Sequence, residues 1–184
     1  MGQHLNSYEI VTREKELAFI KFRKPHAHEG TGPIKPHRME GFTQIDRNYN
    51  ANSEEVQFVD ERSARKYTTS YSPTIPYSFK RYSHLPIHDE LRYIADHMLT
   101  GADAECDIFF VDMATTAGEG KRKAIKGTYS VVPSSSGDSK LMTYSGTFEQ
   151  SSGDVTDCYV TLDVDDNGKA YAIDEIEEIV TEGA

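Results

Sequence analysis

Apolar side chains recur along this chain in short bursts separated by turn residues, the pattern of strands more than of long helices. Residues 16–22 crowd Leu, Ala, Phe and Ile into a run ended by Lys24-Pro25 and read as a first strand. Residues 23–39 then hold three Pro, two Gly and three His without an apolar period, which predicts a long exposed loop of the kind that makes a contact. The pattern resumes at Gly41-Phe42-Thr43-Gln44-Ile45 and in a further strand over residues 54–59. Across residues 74–82, Ile75, Tyr77 and Phe79 alternate with Ser78 and Lys80, and Pro76 assigns this strand to an edge.

One helix is predicted, over residues 88–99. Counted from Ile87, the residues Leu91, Ile94, Ala95 and Met98 fall on one face, so Leu91, Ile94 and Met98 are expected to anchor it. Pro86 precedes it, Asp89 and Glu90 suit its positive end, and Gly101 is placed to close it. Strands are then expected at residues 106–113, 123–132, 141–149 and 155–164, joined by turns at 117–120, 134–138 and 151–154. In the last of them Thr156, Cys158, Val160, Leu162 and Val164 share a packing face, leaving Asp157, Tyr159, Thr161 and Asp163 toward water. Residues 174–184 read as a short terminal strand or an acidic arm. The fold class is therefore α+β, mainly β: a sandwich or barrel-like domain over residues 1–184 with one flanking helix. Within it, 1–40 form an N-terminal strand and loop, 41–165 the core, and 166–184 the C-terminal strand or arm.

Composition excludes several classes. With 37% hydrophobic and 27% charged residues the chain can bury a core, so disorder throughout is not expected. No apolar run reaches the roughly 18 to 20 residues that cross a bilayer, and no secretory signal is visible at the start. Cys106 and Cys158 lie in apolar, strand-like stretches and read as buried free thiols in a reducing compartment. The net charge of −10 is uneven: residues 1–100 carry 14 Lys/Arg against 13 Asp/Glu, residues 101–184 carry 6 against 17. An acidic second half disfavours tight binding to nucleic acid and is compatible with a wall that repels it.

Candidate chemistry is sparse. Asp163-Val164-Asp165-Asp166-Asn167-Gly168 matches the opening of a calcium loop, with oxygens from Asp163, Asp165 and Asn167 and Gly at the sixth place. The twelfth place is Asp174 where the motif has Glu, and flanking helices are missing, so a hairpin loop around Asn-Gly is the competing reading. His26, His28 and His37 share one loop, and His84 and His88 lie four apart, without Cys or acidic ligands at zinc spacing. Gly-x-Ser-x-Gly, Gly-x-x-x-x-Gly-Lys and Gly-x-Gly-x-x-Gly are all missing, so neither an enzyme nor a cofactor is expected.

Gly41 to Ile45, then Asn50 to Asp60 (NANSEEVQFVD), then Thr69 to Pro76 (TSYSPTIP) follow one another in an order that resembles the major tail (tail tube) proteins of long-tailed bacteriophages. The helix entering from Pro86, the strand within residues 104–113 and the strand–turn–strand block 127–154, with Gly-Asp at both reversals, continue the likeness, which covers about residues 40 to 165. The resemblance implies a virion protein, made in the host cytoplasm, that assembles as stacked hexameric rings into a tube for DNA passage. Its implied partners are other copies of itself, tape-measure and terminator proteins and transiently passing DNA, with no membrane insertion by this chain. It also implies that sheets join between subunits into an inner barrel, for which Asp157 and Asp163 are the candidate luminal residues, and that the 23–39 loop bridges rings. A soluble calcium-binding β module, or another tail component such as a terminator or baseplate hub, stands as the alternative.

Overall fold

Two strands carry apolar side chains on both faces, and the architecture is organised around them. In the computed structural model the described residues are 12–26, 35–60, 62–118, 120–137, 140–152 and 155–179. The strands are β1 (Glu16–Phe22), β2 (His37–Arg38), β3 (Phe42–Ile45), β4 (Ala51–Val56), β5 (Arg65–Tyr71), β6 (Thr74–Lys80), β7 (Glu105–Thr116), β8 (Arg122–Ser136), β9 (Thr143–Gln150), β10 (Thr156–Val164) and β11 (Ala170–Glu178), with one helix, α1 (Pro86–Asp96), between β6 and β7. Nine strands run in the order β10-β11-β2-β1-β7-β8-β9-β6-β3, and a further pairing of β10 with β8 closes the first six into a barrel. The fold is α+β, mainly β.

β8 makes this possible by its length. Its first part pairs β10 from Arg122 to Lys126, its second part pairs β9 from Tyr129 onward, and the two neighbours leave it in different directions. Two cores result. Phe19 of β1, Phe109 and Val111 of β7, Ala124 of β8 and Cys158 and Val160 of β10 fill the barrel. Ile20 and Phe22, Cys106, Ile108 and Phe110, and Tyr129 and Val131 face the other way, onto Ile75, Tyr77 and Phe79 of β6 and onto α1. Burial on both faces is why β1 and β7 read as nearly unbroken apolar runs.

Several expectations are corrected. The helix begins at Pro86, in the first turn where its missing N–H costs nothing, and ends at Asp96. Met98, expected to anchor it, lies past its end with φ +49° and 82% of its surface exposed. The Leu99 N–H bonds the Ile94 carbonyl and the Met98 N–H that of Ala95, the paired arrangement that closes a helix through a left-handed residue, so Gly101 is not the stop. Leu91 and Ile94 are buried in the second core. Pro76 does not mark an edge, because β6 lies between β9 and β3; β3 stops opposite Tyr77, leaving Pro76 beside one neighbour only. Val164 is exposed where the face pattern predicted packing, since the β10–β11 ladder shifts register between Thr161 and Leu162 and again between Asp163 and Val164. The strand expected at 54–59 is instead β4, ending at Val56.

The 23–39 loop is also more structured than expected. Residues 27–34 lie outside the described residues, but both flanks are tied down. Arg23 pairs with Glu105 at 2.9 Å and Lys24 with Asp103 at 2.9 Å, while the His26 N–H donates to Glu90 at 2.7 Å and its ring stacks on Tyr93. On the far side, β2 wedges between β1 and β11, and Met39 is buried. Of the C-terminal stretch, residues up to Glu178 continue β11.

Candidate functional site

The cation loop turns its oxygens toward the protein itself. The Lys35 ammonium donates to Asp163 at 2.9 Å and also to Asp174, so a tethered cation bridges the first and twelfth places of the motif. These two carboxylates raise the Lys35 pKa, holding it charged. Asp165 accepts the backbone N–H groups of Asn167 at 2.9 Å and Lys169 at 2.8 Å, and Gly168 takes φ +76°, as a tight hairpin between β10 and β11 demands. Asp163, Asp165 and Asn167 therefore build a turn pinned by Lys35, a residue 128 positions away that no spacing rule connects to them.

The other acidic candidate stands differently. Asp157 is exposed on β10, opposite Ile125 of β8, and its carbonyl accepts the Ile179 N–H at 2.9 Å. Asp157 thus presents a surface carboxylate, where Asp163 shares the Lys35 ammonium.

The histidines do not converge. His28 lies outside the described residues, His26 is stacked on Tyr93, His97 lies against Tyr93 at 3.9 Å, and His37 sits in the barrel seam. No group of three or more His, Cys, Asp or Glu among the described residues is arranged to hold a metal. Both cysteines are free and buried; burial pushes the Cys158 thiol up to about 11 and that of Cys106 well above its ordinary value, which suppresses thiolate chemistry.

His88 is fully buried, and its two ring nitrogens have fixed roles. Nδ1 accepts the Tyr82 N–H at 3.0 Å, so Nε2 carries the proton and donates to the Glu40 carbonyl at 2.9 Å; the ring stacks on Phe79. Desolvation lowers its pKa, outweighing the hydrogen bond to the Glu40 carbonyl and the charge of Asp89, while His84 and Arg81 push the same way as burial. The unfolded chain therefore takes up a proton near pH 6.5 that the folded protein refuses. Stability is expected to be full above that value and to fall, by at most about 1.4 kcal/mol per pH unit, as the pH drops through it toward the lowered folded pKa. Thermal unfolding between pH 7.5 and 5.5 measures this, and His88→Gln should flatten the dependence; an equal slope in that variant would show that another group is responsible.

The feature least explained by the chain's own packing is the β4–β5 hairpin, a separate two-stranded sheet all of whose residues are exposed. Glu55 faces Lys66, Glu54 faces Tyr67 and Val56 faces Arg65 across it, with a bulge between Asn52 and Ser53. Its root is fixed by Asn50, at φ +44°, whose side-chain amide donates to the Ser72 carbonyl and to the Thr74 hydroxyl, both at 3.0 Å. Past Val56, Phe58 is half exposed and Val59 fully exposed, and Tyr67 and Tyr71 add further aromatic surface. A lone hairpin is marginal in water, and grouped exposed apolar side chains mark an interaction surface.

No family model matches the chain, and no curated protein matches it. Among solved structures, one described as "Structure of a type six secretion system protein" aligns weakly, with 15% sequence identity over 88% of this chain and 93% of that chain and a TM-score of 0.32.

Proposed function

We propose that this chain is a structural subunit of a phage-type tail tube, which associates with other copies of itself into hexameric rings stacked around a channel for DNA. The observation that carries the reading is the β4–β5 hairpin, an exposed two-stranded arm with Phe58 and Val59 at its end, both outside the two buried cores, and the Arg65 guanidinium 5.9 Å from the Phe58 ring. The run NANSEEVQFVD, on which the resemblance to tail tube proteins rests in part, forms one strand and the tip of that same arm. Open strand edges invite pairing, and a closed ring uses them productively; β3, at the end of the nine-strand order, offers such an edge. On this reading Asp157 of β10 and Glu175 and Glu177 of β11, which the register places on one face, are the candidates to face the channel, where carboxylates keep phosphates from sticking; Glu177 also pairs with Lys121 at 2.7 Å, and Glu178, on the other face, with Lys126. The mechanism is assembly, and no catalytic role or cofactor is assigned.

Negative-stain imaging with light scattering tests it: concentrated protein should form rings or hollow tubes. Phe58→Ser with Val59→Asp removes apolar contact worth about 1.5 to 3 kcal/mol per side chain without touching either core. That variant should melt like the parent yet fail to assemble; a parent that stays monomeric at high concentration and does not enter assembled tails would remove the reading.

A further inference from the structure

We propose that the β4–β5 arm joins a second copy of this chain by charge, its acidic strand lying edge to edge with the basic strand of the next copy's arm, so that the contact runs head to tail. This pairing rests on the assembly reading above and assigns the edges that assembly uses. The two strands of the arm differ in sign. β4 carries Glu54 and Glu55 and no base, whereas β5 carries Arg65 and Lys66 and no acid. The same signs continue past the strands in Asp60 and Arg62, both exposed. The arm is a two-stranded sheet, so among the described residues each strand pairs with the other and turns its second edge outward.

Those edges decide the symmetry of the contact. A strand edge is a template for a further strand, and cross-strand neighbours meet at about 5 Å, where opposite charges attract and like charges repel. Setting β4 against another β4 gathers carboxylates on both sides, and β5 against another β5 gathers cations. Both self-pairings, the ones a two-fold dimer would use, are therefore opposed. β4 on the next copy's β5 matches the charges, and because it uses a different edge on each copy it repeats around a ring. Level and direction agree with this. Within the arm Glu55 stands opposite Lys66 and Val56 opposite Arg65, so both charged stretches lie at one height along it. Arms related by rotation about an axis along their length keep that height and alternate strand direction, which makes every pairing antiparallel. Each base then stands between an acid of its own arm and one of its neighbour's, and the half-exposed Val56 and Tyr67 gain cover on the same strands.

The test uses the full-length protein in two variants: Glu54→Lys with Glu55→Lys, whose arm strands carry only bases, and Arg65→Glu with Lys66→Glu, whose arm strands carry only acids. Light scattering and negative-stain imaging read assembly, and thermal melting reports the two cores, to which these residues do not belong. Each variant alone should need at least about tenfold more protein than the parent to assemble, and an equal mixture should recover the parent's behaviour, because basic and acidic arms then alternate. Two variants that had merely lost their hairpins would not rescue each other. A third variant, Glu54→Lys, Glu55→Lys, Arg65→Glu and Lys66→Glu together, keeps every pairing within and between arms and should assemble like the parent. No rescue in the mixture, a third variant that fails, or either single-sign variant assembling as well as a parent that forms rings would overturn the edge pairing and leave the tube reading standing. A parent that stops at closed dimers, or forms no assembly, would overturn both.

Discussion

Leu91→Asp is expected to abolish folding, whereas Met98→Asp on the same stretch of chain should leave stability within about 0.5 kcal/mol of the parent. Leu91 is 1% exposed and packs in the core between α1 and the β6–β9 sheet, so a carboxylate there is desolvated without a partner. A penalty above about 4 kcal/mol exceeds much of the stability a domain of this size commands. Met98 lies one residue beyond the helix cap and faces water, and the periodic spacing that would pair it with Leu91 and Ile94 ends before it. Because Met98 holds a left-handed conformation, Met98→Gly should stabilise by about 1 kcal/mol. Soluble yield and far-ultraviolet circular dichroism report the first variant and thermal melts the other two. Should Leu91→Asp give no protein at all, Leu91→Ala, expected to cost about 2 to 5 kcal/mol, keeps the measurement on scale. A normally folded Leu91→Asp would place the helix elsewhere.

That contrast shows where sequence pattern carries and where it stops. Phe19-Ile20 and Phe109-Phe110 announce β1 and β7 because both faces of those strands are covered, a local signal with a global cause. The helix is legible from Ile87, Leu91 and Ile94, but its end is set by two hydrogen bonds and by Leu99 packing on the core, which spacing alone does not express. β2 is two residues long and is specified by Phe19, Ile20 and Ala172, its partners in distant strands, so nothing in His37-Arg38 by itself predicts it. β5, Arg65–Tyr71, is polar and exposed along its length, and a hairpin without a buried face gives no alternation to detect.

The candidate site divides in the same way. The Asn-Gly hairpin between β10 and β11 is readable from four residues, and the competing calcium motif shares those residues. What separates the two is Lys35, whose ammonium meets Asp163 and Asp174 only because β2 brings residues 35–38 across the barrel seam. The apolar tip, Phe58 and Val59, reads in the sequence as the end of a short apolar strand; its exposure is a property of the arm's position, which depends on Asn50 and Thr74 at the root. An exposed apolar strand end reads as ordinary strand sequence until the fold places it outside both buried cores.

Gly146→Ala should destabilise the protein by about 3 kcal/mol, near the upper end of what overpacking costs. Gly146 lies in β9 between Tyr77 of β6 and Pro133 of β8. A Cβ built there sits 2.5 Å from the Val132 carbonyl oxygen and 2.6 Å from the Tyr77 hydroxyl. The side-chain clash could be eased by Tyr77→Phe, but a ring carbon stays at 2.7 Å and the Val132 oxygen belongs to the backbone of β8, so the double variant should recover little. Gly101→Ala is the control: φ is +60° and no atom lies within 4 Å of the added carbon, leaving about 1 kcal/mol of backbone strain. Chemical denaturation of the three variants separates the two costs, and a Gly146→Ala penalty no larger than that of Gly101→Ala would mean that β8 and β9 do not approach this closely. The effect reaches the proposed assembly surface, because Thr74, which anchors the hairpin root through Asn50, pairs with Glu149 on the same strand as Gly146. Distorting β9 should therefore loosen the mount of the β4–β5 arm, and Gly146→Ala protein that still folds is expected to assemble less well than its remaining stability alone predicts.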